Sequence, residues 1–205
     1  MKRIHYLLIV LSIIAGASMF ASCQYIEDGK QAMALSGEWR GDFGMYYDYV
    51  DAYGHQHTYN SYDTYITFIP AYEHAHYGTG KQVDYYEYGP YEYQYYRFSW
   101  SIDGSVIYLT YDYDHDLDTR ISDYHITNDY LKGTFAYSGT NFRLYKIADY
   151  YDWTPYVNSY GFSTRNNTGY HSALDTRADG EIAADSIAVE GKVIARGRRT
   201  TPLKQ

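Results

Sequence analysis

From residue 37 onward, apolar residues recur at alternate positions in short runs. No ten-residue stretch carries the three-and-four spacing of an amphipathic helix. The clearest run is 91–102, where Tyr96, Phe98, Trp100 and Ile102 fall on one face and Tyr95, Arg97, Ser99 and Ser101 on the other. The same period predicts strands over 37–47, 62–69, 78–88, 106–111, 120–127, 130–137 and 141–147. In the second of these Tyr62, Thr64, Ile66 and Phe68 share a face, and Pro70 ends it because proline has no N–H for a ladder. Residues 51–61 are polar and Tyr- and His-containing, and they predict a loop. Gly89-Pro90, Asp103-Gly104, Asn128-Asp129 and Ser138-Gly139 supply tight turns. Eight strands joined largely by hairpins predict an all-β chain, an eight-stranded antiparallel up-and-down β-barrel. A sandwich of similar strands satisfies the same period. Phe98 and Trp100 are large, so an inward face built on them favours a packed or narrow interior.

The two ends break the pattern. Lys2 and Arg3 precede an apolar run, 7–17, that is too short to span a bilayer. Phe20-Ala21-Ser22-Cys23 resembles the lipobox of bacterial lipoproteins, with Phe20 where Leu is usual. That resemblance implies a signal peptide over 1–22 and acylation of Cys23 as the mature N-terminus. Each acyl CH₂ buried in a membrane contributes about 0.8 kcal/mol. The expected address is the bacterial cell envelope, as an outer-membrane lipoprotein anchored through its N-terminal lipid. Residues 23–34 then read as a tether and 35–156 as the barrel domain, with the aromatic stretch 150–156 packing back on it. Residues 157–205 are Gly-, Ala- and charge-rich and predict a flexible C-terminal tail. Within it, 187–195 alternates and allows a short strand.

Composition narrows the chemistry. Cys23 is the only Cys, so disulfides and cysteine metal sites are excluded. The formal charge is -8, and loss of 1–22 removes Lys2 and Arg3 and no acid, which makes it -10. An acidic chain without a basic stripe argues against nucleic acid. Thirty of the 205 residues are Tyr. Tyrosine buries a ring while keeping its hydroxyl wet, which suits both half-wet sheets and binding surfaces.

Gly37-Glu38-Trp39 on the first strand is similar to the Gly-x-Trp signature of lipocalins, and Asp123-Tyr124 is loosely similar to a second lipocalin signature. The resemblance covers about 35–147 and extends to the lipocalin-like lipoproteins of unknown function of Bacteroidetes-type bacteria. It implies that a basic residue near the last strand packs on Trp39, with Arg143 as the candidate and Lys146 as the alternative. It also implies a small apolar or aromatic ligand inside the barrel. The C-terminal helix usual in lipocalins is not evident.

Metal-like spacings are present. His55-x-His57 and His74-x-His76 could each turn two imidazoles to one side for Zn²⁺, with Glu73 or an Asp nearby. All four would meet only if their two loops shared one barrel mouth. Asp112, Asp114, Asp116 and Asp118 have the alternate spacing of oxygen ligands for Ca²⁺. Leu117 stands where the helix-flanked calcium loop needs Gly, which leaves at most a looser site or a solvated acidic hairpin. Catalysis has little to stand on. There is no Gly-x-Ser-x-Gly elbow and no Gly-rich phosphate loop. His125 beside Asp123 is an acid–base pair only if it faces inward. Asp185-Ser186-Ile187 is similar to the O-glycosylation acceptor of Bacteroidetes envelope proteins.

The sequence therefore predicts a non-enzymatic, cofactor-free binding protein. Trp39 and Arg143 close the barrel, and Tyr85, Tyr86, Tyr96, Phe98 and Trp100 contact a small ligand or a partner. The competing expectation is a filled barrel that docks an envelope protein or glycan through its Tyr-rich surface.

Overall fold

The computed structural model describes residues 26–147, 150–156, 160–165 and 191–200. Among these lie a helix α1 (26–35) and eleven strands: β1 (Gly37–Asp42), β2 (Met45–Asp51), β3 (Gln56–Pro70), β4 (Tyr77–Tyr86), β5 (Tyr91–Asp103), β6 (Val106–Tyr111), β7 (Thr119–Ile126), β8 (Tyr130–Phe135), β9 (Asn141–Lys146), β10 (Gly161–Thr164) and β11 (Gly191–Arg198). Eight of them, β1 and β3 to β9, pair in sequence order as antiparallel neighbours. β1 pairs with β3 on one side and β9 on the other, so Trp39 lies opposite both Ile66 and Lys146. The ladder therefore closes on itself, and the fold is the eight-stranded up-and-down barrel rather than a sandwich.

The first strand differs from the single run the sequence predicts. It breaks at Phe43-Gly44, where Gly44 has φ +78°, a conformation that costs glycine little. β1 then pairs with the C-terminal half of β3 and β2 with its N-terminal half. Consequently 56–60 is strand and not loop. Its side chains are largely exposed, so it has no apolar period to read, and it is held by its ladder to β2. A bulge between Ser61 and Asp63 turns Ser61 inward and leaves Tyr62 outside, 56 % exposed, against the shared face expected for Tyr62 and Thr64.

The described residues 26–34, predicted as tether, belong to α1. Asp28, Gly29, Ala32 and Leu35 are buried at helical spacing, and Ala32 and Leu35 enter the barrel core. The Asp28 carboxylate accepts the Gly104 N–H at 3.2 Å, and the Tyr124 hydroxyl donates to Gln31. The barrel needs a lid at this end, and a short helix with one small-residue face supplies it. No described helix is long and apolar enough to cross a membrane.

β10 and β11 fall in the segment predicted to be a flexible tail. β10 pairs with β5 and β11 with β2. β11 overlaps the 187–195 stretch whose alternation allowed a short strand, although it buries almost no apolar surface. Residues 166–190 of that tail lie outside the described residues. The segment 150–156 covers the outer wall of β3, β4 and β5. There Trp153 and Tyr156 pack on Val83, Tyr93 and Tyr95, and Trp153 Nε1 donates to Glu38 at 2.9 Å.

Candidate functional site at the barrel mouth

The interior is layered. At the α1 end, Trp39 is fully buried and its indole N–H donates to Leu35 O at 2.8 Å. Lys146 Nζ sits over the Trp39 ring, 4.9 Å from its centroid, and burial lowers its pKa. The cation on the tryptophan is therefore Lys146 and not Arg143. On β9 the inward positions are Phe142, Leu144 and Lys146, so Arg143 faces out and lies over Tyr130 at 5.1 Å. Above this floor Phe68, Phe98, Trp100, Leu109, Phe135 and Phe142 fill the barrel. Phe98 lies directly over Gly80, where a Cβ would come within 2.2 Å of the ring.

Tyr96, Phe98 and Trp100, expected as ligand contacts, are only 1, 1 and 2 % exposed and pack on neighbouring side chains. They are core. Tyr86 is likewise buried, against Tyr47 and Phe162. Tyr85 is on the outer wall, hydroxyl to hydroxyl with Tyr151 at 2.7 Å.

A polar belt follows the apolar floor. β3, β4 and β5 turn Thr64, Gln82, Asp84 and Gln94 inward, all fully buried. The Asp84 carboxyl accepts Thr64 Oγ1–H at 2.5 Å and Gln82 Nε2–H at 2.8 Å. Burial pushes its pKa up to about 7, against those two hydrogen bonds and the charge of Arg198, which act to lower it. Gln82 Oε1 accepts the Tyr111 hydroxyl at 2.6 Å, and Tyr111 Oη accepts from Arg198 at 2.6 Å. Burial raises the Tyr86, Tyr96 and Tyr111 hydroxyls, so they stay protonated. Among the described residues the Gln94 amide and the Tyr86 and Tyr96 hydroxyls have no hydrogen-bond partner.

The mouth opposite α1 is where β11 lies. Arg198 donates to Leu117 O at 2.6 Å, and its guanidinium is boxed by Phe43, Tyr111 and Phe135, with centroids at 5.4, 5.3 and 5.0 Å. Arg199 forks onto Asp42 and donates to Met45 O at 3.3 Å and Ser61 O at 3.2 Å. Arg196 pairs with Asp114, whose carboxyl is raised by burial against the pull of that arginine. Beside Arg198 a groove of about 450 Å³ opens between the β6–β7 loop and the β8–β9 turn. Its lining includes His115, Asp116, Asp118, Phe135 and Tyr137, with hydroxyls from Thr119, Ser138 and Thr200.

The predicted metal ligands do not assemble. His55 Nδ1 and His57 Nε2 approach Asp51 at 3.3 and 3.1 Å, and the His55 backbone N–H foremost holds the Asp51 carboxyl at about 2. His74 and His76 lie past the other end of β3, on the order of 40 Å from His57 along the strand. The four histidines therefore cannot share a mouth. The acidic run is split among partners. Asp112 approaches Arg97 at 3.5 Å, Asp114 takes Arg196, and Asp118 accepts the Tyr111 N–H at 2.7 Å. Among the described residues no three His, Cys, Asp or Glu form a metal-holding group. His125 is exposed on the outer face of β7. Cys23 and Asp185-Ser186-Ile187 lie outside the described residues.

Arg196, Arg198, Arg199 and Asp84 were not singled out by sequence reasoning. The one available signal was the density of cations in Arg196-Gly-Arg198-Arg199 within an acidic chain. No protein-family model and no curated protein matches the chain. Among solved structures it is similar to a lipocalin-like protein from Bacteroides uniformis, 16 % identical, over 56 % of this chain and 99 % of that one, with a TM-score of 0.35. A likeness of that degree fixes neither ligand nor role, and the barrel stands on its own ladder pairings.

Proposed function

We propose that this chain is a lipid-anchored envelope protein that binds a small hydroxylated ligand, of monosaccharide or disaccharide size, at the barrel mouth and performs no chemistry on it. The observation that carries this reading is the groove of about 450 Å³ beside Arg198, on a barrel whose interior is filled by its own side chains. An apolar ligand inside the barrel would have to displace Phe98 and Trp100. In the groove, by contrast, Tyr137 is 70 % exposed, with the Arg120 guanidinium over its ring at 5.1 Å. The Asp116 carboxylate accepts hydroxyl protons, and the Thr119, Ser138 and Thr200 hydroxyls both donate and accept. That donor and acceptor mix with one aromatic wall matches a polyol better than a lipid.

Calorimetric titration with glucose, galactose, N-acetylglucosamine and cellobiose at millimolar concentration tests it. Saturable binding of at least one, abolished by Tyr137→Ala, is the expected result. Heats of dilution alone across that set would sink it. Acylation of Cys23 has its own assay. Metabolic labelling with an alkynyl fatty acid should mark the chain and fail on Cys23→Ser.

A further inference from the structure

We propose that the seat of β11 is a receptor for an arginine-bearing extended segment, and that β11 of a second copy of this chain can fill it. The inference goes beyond the groove reading and shares with it only Arg198 and Phe135.

Every part of the seat comes from outside β11. β2 offers an open edge of N–H and C=O groups, which β11 satisfies in antiparallel register from Gly191↔Asp51 to Arg198↔Met45. Two carboxylates, Asp42 and Asp114, wait for Arg199 and Arg196. Three ring faces and the Leu117 carbonyl surround the Arg198 guanidinium. A ring box with two acceptors at its rim recognises a planar cation: Arg198 donates to Leu117 O and to Tyr111 Oη from two different nitrogens, which a lysine ammonium could not do while facing the rings. The carbonyls of Met45 and Ser61 read the second guanidinium.

β11 also behaves as a ligand more than as part of the core. Its residues are exposed or half-exposed along the whole strand, and Val193 is its single side chain packed on an apolar cluster. Its hold is a backbone ladder plus three arginines. Between Arg165 and Gly191 lie 25 residues. That length reaches roughly 80 Å when extended, so covalent connection does not force a copy to use its own seat. Self-occupancy and exchange then differ only in effective concentration, of millimolar order for a tether.

A cross-link between copies tests the exchange. Lys192 lies opposite Val50 in the ladder. With Cys23→Ser as background, Val50→Cys and Lys192→Cys are placed in separate full-length chains, mixed at high concentration under oxidation, and followed by mass. The same two cysteines in one chain report that the pair can bond. The expected result is a disulfide heterodimer between the two singly substituted chains, reduced at least tenfold when Arg198→Glu and Arg199→Glu are added to the Lys192→Cys chain. Bonding within the doubly substituted chain but none between chains would overturn the exchange. A heterodimer indifferent to the two charge reversals would overturn the arginine recognition. If the cysteine pair bonds in neither setting, native mass spectrometry of mixed light and heavy unsubstituted chains decides between the two: mixed-isotope dimers support exchange, and monomers alone refute it.

Discussion

Asp84→Asn probes the polar belt directly. The carboxyl is fully buried on β4, and its pKa moves from an ordinary 3.8 to about 7. The distance between those values corresponds to roughly 4 kcal/mol. Because the folded value is the higher one, the full stability is present below about pH 4 and is lost as pH rises through about 7. Asparagine keeps the shape and never ionises. At pH 4 it replaces a neutral acid, and its cost is one reversed hydrogen bond toward Thr64 or Gln82, about 1 kcal/mol. Between pH 4 and pH 8 the native chain gives up the roughly 4 kcal/mol that the variant keeps. Urea unfolding followed by tryptophan fluorescence at pH 4 to 8 measures both curves. Their difference should swing by that amount in favour of the variant, spread over the interval from about pH 4 to about pH 7 and level once Asp84 has ionised in the folded chain. Other groups titrate in both proteins and cancel. Parallel curves would show that Asp84 does not carry the charge penalty.

Trp39→Ala should cost about 3–5 kcal/mol of unfolding free energy, since it empties the floor of the barrel and frees Leu35 O. Lys146→Gln should lower stability by about 0.5–2 kcal/mol through loss of the cation on that ring, whereas Arg143→Gln on the outer wall stays within about 1 kcal/mol. Gly80→Ala should lose about 1–3 kcal/mol or more, because the new methyl meets Phe98 and Thr67 O, and chemical denaturation reads it directly.

The barrel strands were readable because apolar residues alternate wherever one face meets the core, as on β5 and β9. Reading failed where something other than apolar burial holds the chain. The N-terminal part of β3 is exposed on both faces and is kept straight by β2. β11 overlaps the alternation at 187–195 but runs on to Arg198, where its ladder to β2 and its arginines hold it. α1 buries Gly29 and Ala32, too small to raise a hydrophobic signal. The choice between Arg143 and Lys146 needed only the parity of β9, since Leu144 faces in and the residue two on must follow it. The belt was less accessible. Gln82 and Asp84 occupy inward positions of β4 that a period of two assigns to apolar residues, and their partners Tyr111 and Arg198 are remote in sequence.

That belt bears on where a ligand can act. Below it, among the described residues, the barrel is closed by its own rings and α1, and a lipid there would have to displace Phe98 and Trp100. Above it Tyr47, Tyr49, Tyr86, Tyr91 and Phe162 form a second aromatic layer between β2, β4, β5 and β10. Polar groups placed between two apolar layers cost stability unless each is satisfied. Thr64, Gln82, Asp84 and Tyr111 meet that condition in a chain that ends on Arg198, a residue of the last described strand. The order of the interior thus depends on β11 being seated. Whatever displaces β11 without supplying another arginine must also release Tyr111 and remove the cation that helps hold Asp84 down. Occupancy of the mouth and the titration of Asp84 are therefore linked: charge reversal at Arg198 should move the Asp84 midpoint upward, and a midpoint that stays put would separate the two.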